Sequence, residues 1–204
     1  MIKLSNTSKM RIKNKRVRSW SLVAAITCPQ AKNSEVCKGC YALKGMYRFP
    51  VVKNTRKHNR QDYKTTDWVA RMSAECIKLD YVRFFDSGDC ETLELAHKIE
   101  EVIKISSSTK FWLPSRMDKD PAFSAVFTRI SKLPNVAVRP SADNIGLNNQ
   151  ERPGVNSYVI KPEDIFEAKK QGIHVCPVGI NPNQKSCDTC TMCYTDAKVA
   201  YVLH

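Results

Sequence analysis

The chain has 204 residues, enough for one domain with a sizeable core and too few for two ordinary ones. Its composition, 42% hydrophobic and 26% charged, excludes a largely disordered chain, and no apolar run reaches the roughly 20 residues that span a bilayer. The net charge is +13, from 33 Lys and Arg against 20 Asp and Glu, which fits a phosphate-binding surface, a solvated basic face, or cations balancing a buried anionic cluster.

The first residues, Met-Ile-Lys-Leu-Ser-Asn, carry no apolar signal core, so the expected location is a reducing cytoplasm. Nine cysteines there are not expected to form disulfides, and metal binding is the reading that uses them.

In chain order, residues 1–18 form a basic segment with Lys9, Arg11, Lys13, Lys15, Arg16 and Arg18. Ser19 to Ile26 reads as the first strand. A second basic run follows at 44–64 (Lys44, Arg48, Lys53, Arg56, Lys57, Arg60, Lys64). Residues 68–77 read as a helix, with Cys76 on its core side. Tyr81 to Phe85 is the next strand, and Glu91 to Ile105 a helix with Leu95, Ile99, Val102 and Ile103 at helical spacing. Phe111 to Leu113 is a strand, and Pro121 opens a helix through Phe123, Val126, Phe127 and Ile130. Strands at Asn135–Val138 and Ser157–Ile160 follow. A helix then opens at Pro162 and closes near Gly172, before a last strand at Ile173–Val175. About six strands alternating with helices predict a parallel α/β fold. The predicted layout is one domain: the basic segment 1–18, a partial barrel 19–176 and a Cys-rich tail 177–204.

Seven cysteines fall into two groups. Cys28, Cys37 and Cys40 follow the first strand, and Cys176, Cys187, Cys190 and Cys193 follow the last. Two residues between cysteines let both sulfurs reach one ion or cluster, as in zinc and iron–sulfur sites. The run Cys187-x2-Cys190-x2-Cys193 favours a four-iron cluster, with zinc as the alternative and Cys176 as fourth ligand. His174 and His204 lie near this group, where four cysteines already suffice. The first group has three cysteines and no evident fourth, which leaves an open coordination position. Cys90 is the weaker candidate to fill it; His58 and His97 read as structural.

Polar residues cluster just after the predicted strands: Asp86-Ser87-Gly88-Asp89, Ser115-Arg116, Arg139 with Ser141-Ala142-Asp143, and Lys161. In parallel α/β folds the carboxyl ends of the strands converge on one face, where ligands bind. Ser87, Gly88 and Asp89 suit a cationic amine, or simply a loop capping the next helix. Arg116 and Arg139 suit a carboxylate.

The sequence Ser19-Trp20-Ser21-Leu22…Cys28-Pro29…Cys37-x2-Cys40-Tyr41-Ala42, then Phe85-Asp86-Ser87-Gly88-Asp89, then the tail ending Tyr201-Val202-Leu203-His204, resembles the phage gene product 88-like proteins. The layout also resembles a small radical S-adenosylmethionine (SAM) enzyme. That resemblance implies a partial (β/α)6 TIM-like barrel and a [4Fe-4S] cluster on Cys28, Cys37 and Cys40. It further implies SAM bound through Ser87, Gly88 and Asp89 at its amine, and through Arg116 or Arg139 at its carboxylate. Cys176, Cys187, Cys190 and Cys193 then correspond to the auxiliary-cluster tail of some members. The spacing departs from the usual C-x3-C-x2-C, with eight residues between Cys28 and Cys37, and Ser-Gly-Asp stands where Gly-Gly-Glu is usual.

The expected function is therefore an iron–sulfur protein with one or two [4Fe-4S] clusters in a host cytoplasm. It would cleave SAM reductively to start radical chemistry on an unknown substrate, with an electron donor as partner and no membrane. The alternative is a non-catalytic nucleic-acid-binding or regulatory module, held by zinc or an inert cluster, that binds through segments 9–18 and 44–64.

Overall fold

The computed structural model describes residues 1–6, 8–148, 152, 154–181 and 183–203. Its elements, in order, are β1 (Val17–Trp20), α1 (Glu35–Lys38), α2 (Pro50–Asp62), α3 (Trp68–Cys76), β2 (Tyr81–Phe84), α4 (Leu93–Ile105), β3 (Lys110–Ser115) and α5 (Pro121–Ile130). Then come β4 (Val136–Pro140), β5 (Ser157–Ile160), α6 (Ile165–Lys170), β6 (His174–Val175) and β7 (Val199–Val202). The fold is mixed α/β, and among the described residues every strand-to-strand ladder is parallel. No helix among the described residues is long and apolar enough to cross a membrane.

The strands form two sheets, ordered β1-β2-β3-β4 and β5-β7-β6. The expected partial barrel is met only in this coarser form. No ladder joins β4 to β5 among the described residues; instead the segment between them bonds to each strand, Val155 N to Val138 O (2.8 Å) and Gly146 N to Val159 O (2.7 Å). The end of the expected tail is a strand, since β7 lies between β5 and β6. Val199-Ala200-Tyr201-Val202 is too short to show a period, yet three of its four residues are buried.

The first strand also ends earlier than its composition suggests. After Trp20 the chain turns, with Thr27 N and Oγ1 both donating to Val23 O and Ala25 at a left-handed φ of 65°.

Side-chain alternation gives the four-stranded sheet two distinct faces. Trp20, Phe84, Leu113 and Val138 point to one, where α3, α4 and α5 cover them in the main core. Trp20 anchors that core, edge-on to Trp68 at 5.3 Å and to Phe84 at 6.1 Å. Cys76 and Cys90 are fully buried there. Thr92 caps α4 by accepting from Leu95 N, and Asp120 caps α5 by accepting from Ala122 N, with Pro121 in its first turn. Arg83, Trp112 and Arg139 point to the opposite face. The Cys187–Tyr194 segment, Ile12 and Tyr201 cover that face.

Buried Glu100 joins α4 to α5, accepting from Arg129 Nη2 (2.9 Å) and Lys104 Nζ (2.8 Å). Burial pushes its carboxyl up, but these two cations outweigh it and hold the group below its ordinary value. A carboxyl depressed in the folded state contributes stability above its unfolded pKa and loses it as pH falls through the folded one. Glu100→Gln should therefore cost about 1–2 kcal/mol near pH 7 and progressively less as the pH is lowered into the acid range, as read by urea unfolding across that range.

Candidate metal centres

The turn that carries Cys28 is built by zipping the loop after β1 to the loop after β2. Leu22 N donates to Ser87 O (3.0 Å), Ser87 Oγ to Leu22 O (2.8 Å), and Asp89 N to Thr27 O (3.1 Å). Gly88 lies in this zipper at φ 75°. A Cβ there would stand 2.6 Å from Thr27 Oγ1 and 2.7 Å from Leu22 Cβ. Gly88→Ala should cost about 2–4 kcal/mol, the sum of left-handed strain and overpacking, and displace Cys28; urea unfolding with metal analysis reads both. Phe85, which opens the loop, is itself left-handed at φ 56°, a conformation that costs a bulky residue and persists only where its surroundings over-determine it.

Asp89 is buried and ties this loop to the end of β3. Its carboxylate accepts from Ser115 Oγ (2.6 Å), Arg116 N (2.9 Å) and Cys90 N (2.8 Å), while burial holds its pKa up. It does not cap the next helix; Thr92 does. Cys37 arrives on α1, which is pinned to the loop after β4. Ser34 Oγ donates to Asp143 O (3.1 Å), Val36 N to the same oxygen (3.2 Å), and Ile145 N to Glu35 Oε2 (3.1 Å). Cys40 follows one turn later, its N–H donating to Cys37 O.

Cys28, Cys37 and Cys40 are thus carried by segments tied to the loops that follow β1, β2 and β4, near enough that Cys37 and Cys40 act on the Cys28 thiol. Cys28 is pushed up to about 12 by burial first, then by Asp89, Cys37 and Cys40. A thiol held that high is protonated at neutral pH until a metal displaces the proton.

The predicted SAM contacts are placed differently. Ser87 spends its hydroxyl on Leu22. Arg116 does meet a carboxylate, that of Asp143 (Nε to Oδ1, 3.4 Å), and its Nη2 donates to Ala142 O (2.7 Å). Lys119 and Arg152 pair with the same Asp143. Arg139 is fully buried and belongs to the other cysteine group. Its Nε donates to Cys193 O (2.8 Å), and its Nη2 to the carbonyls of Met192, Thr195 and Ala197 (2.7–2.8 Å). Of the five predicted contacts, Gly88 and Asp89 lie against the turn that carries Cys28, with the Asp89 carboxylate already engaged by Ser115, Arg116 N and Cys90 N.

Cys176, Cys187, Cys190 and Cys193 line one cavity with His174, Met10 and Trp112. Cys176 N donates to Ala200 O (2.8 Å), fixing it to β7. Cys187 N donates to Lys9 O, Asp188 N to Arg11 O and Lys13 N to Asp188 O (2.6–2.9 Å), so part of the N-terminal basic segment is a brace for this loop. Burial first, then the neighbouring thiols, pushes Cys187 up to about 12. Burial also raises Cys176 and Cys193. Tyr201 OH lies 3.2 Å from Cys193 Sγ and His174 Nε2 lies 3.5 Å from Cys190 Sγ. His204 falls outside the described residues. Among the described residues, no three His, Cys, Asp or Glu side chains stand close enough together to hold a single metal ion.

Between the two groups sits Arg83, which sequence reasoning missed. Its Nη1 donates to Asp86 Oδ1 (2.8 Å), its Nη2 to Tyr41 OH (3.4 Å), and its guanidinium lies 4.1 Å over the Trp112 ring. Asp86 also accepts from Tyr47 OH (2.9 Å), and Arg56 lies 4.0 Å away. The signal was available: a cation inside a strand whose neighbours are apolar marks a face that needs positive charge.

A family model described as Gene product 88 matches residues 2–195. No curated protein and no solved structure matches the chain significantly.

Proposed function

We propose that this chain, which belongs to the Gene product 88 family of phage proteins, is an iron–sulfur protein with two thiolate-ligated centres. The carrying observation is that seven cysteines, in two groups along the sequence, also gather in two places in space. Cys28 has Asp89, Cys37 and Cys40 as its charged or ionisable neighbours, and Cys176, Cys187, Cys190 and Cys193 line one cavity. The donor set is thiol throughout, which suits both [4Fe-4S] clusters and four-cysteine zinc sites, and the Cys187-x2-Cys190-x2-Cys193 run favours the cluster. Arg139 and Arg83 supply the positive charge that a buried thiolate cluster needs. A reducing cytoplasm is where such ligands persist.

Cys28, Cys37 and Cys40 would hold the first cluster with three protein ligands and would leave one iron for a chelating small molecule, for which SAM is the candidate that the layout favours. A cluster there would supply the electron for its reductive cleavage. The chain's part is to hold the site. Asp89 fixes the ends of β2 and β3 beside Cys28. Arg116, through Asp143, fixes the loop that carries α1 and Cys37.

An EPR spectrum of the reduced protein tests this reading. Adding SAM should change the signal of the wild type and leave that of Cys37→Ala unchanged. A wild-type cluster signal that ignores SAM would leave two redox or structural clusters and remove the SAM assignment.

A further inference from the structure

The corner that begins one residue after Cys40 carries a surface that the metal centres do not use. Tyr41, Leu43, Met46 and Phe49 are each more than half exposed, across two short turns that lead into α2. Tyr41 is anchored at its tip only, since its hydroxyl donates to Asp86 O (2.6 Å) while its ring stays open to solvent and meets Tyr47 edge-on at 5.4 Å. Apolar groups of this size are normally covered.

Cations are interleaved with them. Lys44, Arg48, Lys53 and Lys57 are exposed, and none makes an ion pair or side-chain hydrogen bond among the described residues. No acidic residue occurs between Glu35 and Asp62. The other arginines of the same run are spent: Arg56 is buried over the Tyr47 ring at 4.7 Å, and Arg60 pairs with Glu91 at 2.8 Å. The segment separates structural cations, turned inward, from free ones, turned outward with exposed rings between them.

We propose that residues 41–57 form a binding surface for single-stranded nucleic acid. Lys44, Arg48, Lys53 and Lys57 meet the phosphates, and the Phe49 and Tyr41 rings offer faces on which bases stack. Charge complementarity selects a polyanion, and the open rings select one with unpaired bases over a duplex, whose bases are already stacked. A membrane surface is the poorer match, because α2 has only Val51 and Val52 as aliphatic residues and no apolar stripe. This surface does not depend on the identity of the metal.

Fluorescence anisotropy with a labelled oligo(dT) of about twelve nucleotides, on the full chain as purified with its metal, tests the proposal. Four phosphate contacts give a slope of log K against log salt of about −3. Lys44→Glu with Arg48→Glu should weaken binding more than tenfold. Phe49→Ser, which leaves the charge intact and puts a good capping residue before α2, should weaken it about tenfold. Circular dichroism and metal content, unchanged in both variants, exclude misfolding. No binding at low salt overturns the proposal. So does equal affinity for duplex DNA with no effect of Phe49→Ser, which indicates a simple polyanion site. Tighter binding to polyglutamate or to phosphatidylserine vesicles than to the oligonucleotide assigns the surface to another partner.

Discussion

Arg139→Met is expected to destabilise the protein by about 3–5 kcal/mol, and to loosen the Cys187–Cys193 loop before the rest of the chain. The Arg139 side chain starts from β4 on the cysteine face of the sheet and is fully buried. Two of its nitrogens satisfy four backbone carbonyls, at Met192, Cys193, Thr195 and Ala197, in a stretch that forms no ladder with any strand. Methionine fills much of the same volume and offers no donor, so the part-buried carbonyls of Cys193, Thr195 and Ala197 lose this partner together, while Met192 O keeps its bonds from Thr195. Arg139→Lys keeps the charge without the planar fork and should fall between the two. Urea unfolding of metal-loaded protein reads the loss, and hydrogen exchange at 192–197 locates it. A loss under about 1 kcal/mol would show that water serves these carbonyls as well as Arg139 does.

Cys37→Ala is expected to remove the first centre and spare the second. The scaffold that delivers Cys37 does not use its sulfur. Ser34, Val36 and Glu35 hold α1 to the 143–145 loop through hydrogen bonds that the substitution leaves in place. The fold should therefore survive with about half the iron, and Cys190→Ala should give the converse. Loss of all metal in either single variant would show that the groups share one site.

Much of this architecture is legible in the sequence. Five of the six expected strands fall within a residue or two of their observed places, because each is a short apolar run bounded by turn residues. Two helices are legible from the spacing of Leu95, Ile99, Val102 and Ile103 and from Pro121 at a first turn, whereas their caps, Thr92 and Asp120, come from the structure. The two cysteine groups follow from spacing alone.

What escaped the sequence depends on contacts between distant residues. Strand β7 is four residues long and becomes a strand only because β5 and β6 flank it. The roles of Ser87 and Gly88 are set by Leu22 and Thr27, some sixty residues away, so a loop suited to a ligand instead holds another loop. Arg139 reads as a carboxylate clamp from its place after a strand, but the face it points to is decided by the pairing of β3 with β4. Arg83 and Trp112 meet because the register aligns them across β2 and β3. The basic segments divide in the same way: residues 9–13 brace the Cys187 loop, and part of 44–64 stays open.

The most direct test of the two-centre reading is the content of iron, acid-labile sulfide and zinc per chain after oxygen-free purification. Two four-iron clusters predict about eight irons and eight sulfides per chain, without stoichiometric zinc. Zinc alone, with no iron taken up even on reconstitution with iron and sulfide, would contradict the account and leave the seven cysteines as structural zinc ligands.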